Sequence, residues 1–102
     1  MPQIQRKDPY KLVGTTFDSR FLLTEFVDEG GMGAIYKAED IKGIDTVALK
    51  ILSPRHQIKP RFLDYFKKEA NILNQLDHPN IVKIIAIGVD SVSGMDYFVM
   101  ES

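Results

Sequence analysis

Five short stretches of this sequence have the β-favouring, turn-bounded character of strands: "FLLTEFV" at 21–27, "AIYKA" at 34–38, "TVALKIL" at 46–52, "IVKIIAIGV" at 81–89 and "DYFVM" at 96–100. One stretch keeps another rhythm. In "RFLDYFKKEANILNQL", 61–76, the apolar residues Phe62, Phe66, Leu73 and Leu76 recur at helical spacing, and Pro60 stands where a helix begins. Turns are marked by "DEGGMG", "KGID", "DHPN" and "DSVSG", and a loop, "SPRHQIKP", joins the third strand to the helix. The order of three strands, one helix and two strands predicts an α+β fold, a five-stranded, mostly antiparallel sheet covered by one main helix. Residues 1–13 are polar with a proline near each end and read as a tail or linker, leaving 14–102 as the folded unit.

Two charges interrupt the apolar pattern. Side chains alternate along a strand, so Ala48 and Lys50 share one face of 46–52 while Val47, Leu49 and Ile51 share the other. A small residue and a cation then lie roughly 7 Å apart, with room for a flat ring over Ala48 and an ammonium reaching beyond it. On the helix, steps of three and four from Phe62 pass through Glu69, which puts a carboxylate in the apolar stripe rather than on the wet face with Lys67, Lys68 and Asn71. A lone charge there is costly, and Lys50 is its best partner. The plainer alternative for Lys50 is a side chain that snorkels to solvent from an edge strand.

The composition sets outer bounds. A chain of 102 residues, 44% hydrophobic and 26% charged, is an ordinary globular domain with a modest core. A net charge of −1 does not suit a nucleic-acid or anionic-lipid surface. No cysteine is present, which fits a reducing compartment and excludes thiolate metal sites; with only His56 and His78, no histidine metal site is expected either. Neither a signal peptide nor a membrane span is legible, so the expected location is cytoplasmic. The basic group Lys59, Arg61, Lys67 and Lys68 reads as a solvated face, with a phosphorylated loop as the alternative partner.

Glycines at 30, 31 and 33 sit between two strands. A dinucleotide fingerprint needs a helix after its last glycine, and a P-loop needs Lys with Ser or Thr there; Ala34, Ile35 and Tyr36 supply neither. Left are a plain flexible hairpin turn, or a flap whose backbone lies across a ligand.

Taken in order, "FVDEGGMGAIYKAE", "TVALK", "FKKEANILNQLDHPNIVKI" and "YFVME" make the chain resemble the N-terminal lobe of eukaryotic-like serine/threonine protein kinases, the "EGGMG" wording being similar to bacterial members. The resemblance spans about 17–102 and implies an ATP site roofed by the hairpin 27–35. It implies that Val27, Asp28, Glu29, Gly30, Gly31, Met32, Gly33, Ala34 and Ile35 line that site, with Gly30 and Gly33 as the second and third family glycines and Ile35 against the adenine. Ala48 would lie on the other side of the ring, Met100 behind it, and Glu101 would offer its backbone carbonyl from the hinge. Lys50 and Glu69 take the catalytic roles, the lysine holding the α and β phosphates and the glutamate orienting it. His78, Pro79 and Asn80 match a structural motif. Asp28 stands where the family has its first glycine, and it adds a negative charge beside the phosphates.

The H-R-D and D-F-G motifs, which supply the catalytic Asp and the Mg²⁺ ligands, are absent from these residues. The resemblance therefore implies a lobe truncated at the hinge, inactive as this fragment, with ATP as ligand and Mg²⁺ held only together with the other lobe. Protein substrates belong to the full-length enzyme. Val27, Ile35, Ala48 and Met100 would be left facing water, so a homodimer through this lobe is expected. The alternative is a non-catalytic interaction or dimerisation module that keeps the fold.

Overall fold

Strand alternation in Thr46–Leu52 divides the protein into two faces. The computed structural model describes residues 7–43, 45–75 and 82–101. Its elements are β1 (Thr16–Phe17), β2 (Phe21–Glu29), β3 (Gly33–Asp40), β4 (Thr46–Leu52), α1 (Pro54–Gln57), α2 (Pro60–Gln75), β5 (Ile84–Val89) and β6 (Asp96–Glu101). They form one antiparallel sheet in the order β1-β2-β3-β4-β6-β5. The sheet has six strands rather than the expected five, because Thr16 and Phe17 pair with Leu22 and Phe21. Two residues are too few to show a period. Part of the expected loop 53–60 is also helical: α1 starts at Pro54, and the Ser53 hydroxyl accepts the Arg55 N–H at 3.2 Å. Leu76, the 77–80 turn with His78, Pro79 and Asn80, Ile44 of "KGID" and Ser102 lie outside the described residues.

On one face Val47, Leu49 and Ile51 join Ala34, Tyr36, Ala38, Tyr97 and Val99 in the larger core, closed by Phe17, Phe21 and Leu23. Residues of the expected tail reach this core too: Leu12 is buried and Tyr10 packs against it. On the other face Leu52, Phe98 and Ile84 meet Phe66 and Ala70 of α2, with Met32, Leu63, Leu73 and Met100 around them. Phe62 turns aside from the sheet and meets His56 of α1 edge-on, at 4.4 Å between ring centres. Among the described residues no helix is long and apolar enough to cross a membrane.

Carboxylates fasten the loops to this sheet. Arg20 donates to both oxygens of Asp40 at 3.0 and 2.9 Å. Asp90 accepts the Asp18 N–H at 2.8 Å, and Asp18 in turn accepts from Ser91 N–H and from the buried Tyr97 hydroxyl. The Tyr36 hydroxyl donates to Asp8.

Gly33 is required by the sheet itself. A Cβ there would stand 2.0 Å from the Ile51 carbonyl oxygen, a backbone atom with little freedom to move, whereas one at Gly30 or Gly31 would meet nothing within 4 Å. Gly33→Ala is expected to destabilise the fold by about 2 kcal/mol or more. Gly31→Ala, at a site free of steric demand, is expected to leave stability within about 1 kcal/mol. Denaturant midpoints for the two variants check this, and equal losses would reject it.

Acid should loosen the same fold. Burial opposes ionisation of Asp8 and Asp90, but hydrogen bonds outweigh it: Asp8 is held by Tyr36 and the N–H groups of Val13 and Tyr10, Asp90 by Ser93 and the Asp18 N–H. The bond from Arg20 is the main cause at Asp40. All three carboxyls are held below their ordinary value of 3.8. A depressed folded-state pKa gives stability that is complete above the unfolded value and disappears as pH falls through the folded one. The urea midpoint is therefore expected to hold steady from pH 7 to about 5 and to drop below about pH 4, less steeply in Asp40→Asn.

Candidate functional site

Beneath the β2–β3 hairpin lies a cleft of about 320 Å³, with Asp28, Gly30, Gly31, Met32, Gly33, Ala34 and Ile35 above and Lys50 below. Local pairing explains its shape. β2 shifts register between Phe26 and Asp28, so that Asp28 comes opposite Ile35 and both share the face that carries Lys50. The hairpin tip is closed by the Gly30 N–H donating to the Gly33 carbonyl at 2.9 Å, and the Met32 carbonyl accepts the Ser53 N–H at 2.8 Å. Among the described residues, the N–H groups of Gly31 and Met32 donate no hydrogen bond. Two donors and two hydrogen-only side-chain positions thus stand at the roof of a cleft with a cation at its base.

Lys50 is placed by its neighbours on three strands. It lies opposite Ile35 on β3 and Phe98 on β6, and its Nζ is 5.9 Å from the centre of the Phe98 ring. That ring packs on Phe66 of α2 at 4.9 Å, one turn before Glu69. The Lys50 ammonium then meets Glu69 at 2.7 Å to Oε1 and 3.0 Å to Oε2. The two side chains are 28% and 41% exposed, so the pair sits at the rim of the helix–sheet seam and not deep inside it, as the position of Glu69 in the apolar stripe suggested. An ion pair with that much water around it contributes on the order of 1 kcal/mol or less, and its value lies in aiming the ammonium.

Ala48 and Met100 are cross-strand partners, one step down the same face from Lys50 and Phe98. Both are half-buried, as is Ile35, and Val27 is exposed at the edge. Ile35, Ala48 and Met100 thus share the face of the sheet that carries Lys50. Glu101 pairs with Val47, and its N–H donates to the Lys83 carbonyl at 3.0 Å. Glu29 departs from the group. It lines a second cavity of about 380 Å³ on the far side of the hairpin, which Gly30 and Gly31 also border.

Two contributors had no place in the sequence reading. Phe98 supports the lysine, and the alternation of "DYFVM" does put it on the face of Met100. Tyr10 forms part of the second cavity's wall, and no local pattern announces it. Among the described residues no three His, Asp or Glu side chains come together as ligands for a metal ion.

Comparison with known proteins bears on this arrangement. Residues 21–102 match the family described as protein tyrosine and serine/threonine kinase. The chain is 37% identical over 90 residues to the serine/threonine-protein kinase PrkC of Bacillus subtilis, covering 88% of this chain and 14% of PrkC. It is 33% identical over 92 residues to the serine/threonine-protein kinase PknA of Mycobacterium tuberculosis, covering 87% of this chain and 21% of PknA. It therefore spans between about one seventh and about one fifth of the length of these relatives. The fold is similar to the crystal structure of the Mycobacterium tuberculosis PknI kinase domain, with a TM-score of 0.69 at 24% identity over 88% of this chain and 35% of that one. The family match over 21–102, with the sheet and helix in kinase order, makes this chain a member of the protein tyrosine and serine/threonine kinase family with the fold of the kinase N-terminal lobe.

Proposed function

We propose that this chain is the nucleotide-holding lobe of a serine/threonine protein kinase. It binds ATP under the glycine hairpin and, together with a C-terminal lobe, directs the γ-phosphoryl group to a protein Ser or Thr hydroxyl. The observation that carries this reading is the Lys50 ammonium, held by Glu69 at the base of a cleft whose roof is hydrogen-only at Gly30 and Gly31. The residues fit a nucleotide. The cleft is of ligand size, the missing Cβ atoms let backbone come close to phosphate, and the Gly31 and Met32 N–H groups are there to donate.

ATP supplies the transferable phosphoryl group, and Mg²⁺ would be held by residues of the other lobe. The work of this chain is positioning. Glu69 keeps Lys50 aimed into the cleft, and the ammonium draws the α and β phosphates to a fixed place. Val27, Ile35, Ala48 and Met100 offer the adenine an apolar surface, and Glu101 offers its carbonyl at the sheet's end. Asp28 opposes these effects, since its carboxylate borders the same cleft. Because H-R-D and D-F-G are absent from the 102 residues, the lobe alone is expected to bind without catalysing transfer.

A second reading, a non-catalytic interaction module that also self-associates, is favoured by one feature: Ile85, Ile87 and Val89 are 44, 47 and 53% exposed along the edge strand β5. Nucleotide binding separates the two. Calorimetry with Mg²⁺-ATP is expected to show saturable binding, about tenfold weaker in Lys50→Ala and tighter in Asp28→Gly. Absence of binding by all three proteins would sink the ATP reading, and equal dissociation constants for Asp28→Gly and the parent would remove the role given to Asp28. In a protein that joins this lobe to its catalytic partner, Lys50→Met is expected to lower phosphoryl transfer by on the order of 10²-fold or more. Retained phosphorylation of a test protein by that variant would overturn the assignment of Lys50.

A further inference from the structure

The hairpin has a cavity on each side, and Gly30 and Gly31 border both. A roof made of so thin a partition can shift backward unless something stands behind it. What stands there is the segment 8–13, which crosses the outer face of the sheet. Its path is fixed at three points. The Asp8 carboxylate accepts from the hydroxyl of Tyr36, fully buried on β3 next to the cleft residue Ile35. It also accepts the Val13 N–H at 2.7 Å, which closes the segment into a turn. Leu12 is sunk in the larger core. Between these anchors the Tyr10 ring packs against that core and lines the rear cavity together with Ser53 and Glu29. Ser53 is the residue whose N–H holds the Met32 carbonyl of the hairpin tip. Tyr10 thereby shares the wall of the rear cavity with the two supports of the tip, the Glu29 arm and the Ser53 tie.

The geometry points to the segment 8–13 as a strap that positions the glycine hairpin, with Tyr10 as the positioning residue that stops it from retreating into the rear cavity. This rests on the nucleotide reading for its consequence at the cleft, but the mechanical statement stands apart from it. An unstrapped hairpin samples more positions, and a ligand that requires one of them binds more weakly by the fraction lost.

Amide hydrogen exchange on the nucleotide-free chain tests the strap directly. In Tyr10→Ala, exchange at Gly30 and Ser53, whose N–H groups hold the tip through the Gly33 and Met32 carbonyls, is expected to rise several-fold while the β4 amides of Leu49 and Ile51 keep parental rates, a pattern that general loss of stability would not give. Tyr10→Phe, which keeps the wall and loses the hydroxyl, is expected to fall between the two. Asp8→Asn, which weakens the anchor without touching the cavity, is expected to raise the same two amides. Parental exchange at Gly30 and Ser53 in both Tyr10→Ala and Asp8→Asn overturns the strap, as does a uniform rise across the sheet in both. Calorimetry with Mg²⁺-ATP completes the test. Weaker binding by Tyr10→Ala links the strap to the cleft, whereas no binding even by the parent chain sinks the ATP reading and leaves the exchange result to decide the strap.

Discussion

An ammonium on β4 and a carboxylate on α2 meet across a seam otherwise built of hydrocarbon, and that contact fixes where the cleft keeps its charge. Hydrocarbon packing alone is non-directional and would let a helix slide or turn at small cost. α2 is only lightly held by such packing, for Phe66 and Ala70 are its buried residues. The Lys50–Glu69 pair adds direction, since it is satisfied at one rotation of the helix. Its partial exposure leaves it open to water and salt, so the contact is easily exchanged for another partner. A lysine gripped weakly enough to be shared is of more use to an anionic ligand than one locked in a dry interior.

The parts of this arrangement that follow from local rules were legible in the sequence. β4 runs from Thr46 to Leu52 as its apolar alternation indicates, α2 starts at Pro60, and the charges at 50 and 69 stand out because each breaks the pattern of its own element. What escaped has physical reasons. β1 is too short for a period, α1 is a single turn, and residues 8–13 hold their place through partners elsewhere, Tyr36 being 28 residues from Asp8. The exposure of Glu69 was misjudged because helical periodicity gives a direction but not the depth of the sheet beneath it.

The same distinction separates the two cores. The larger one is spelled out by strand alternation, yet its lid of loops is held by polar contacts that alternation cannot reveal. Asp18 and Asp90 lie 72 residues apart and hold two turns together, the Asp18 N–H donating to Asp90 and the Ser91 N–H donating back to Asp18, and Tyr97 brings its hydroxyl to the same place from the sheet. Such contacts are worth more here than on an open surface, because burial of the tyrosines removes water as a competitor. Gly88 belongs to this arrangement. A Cβ there would stand 3.0 Å from the Tyr97 hydroxyl oxygen, so the strand beside the tyrosine is kept bare.

The three hairpin glycines are not equivalent. At Gly33 the Ile51 carbonyl leaves space for a hydrogen atom and nothing larger, so the seam between β3 and β4 would preserve that residue in any lineage obliged merely to fold. At Gly30 and Gly31 the chain imposes no such demand, and drift under folding alone would erase them. Their persistence would record an obligation to something outside the polypeptide.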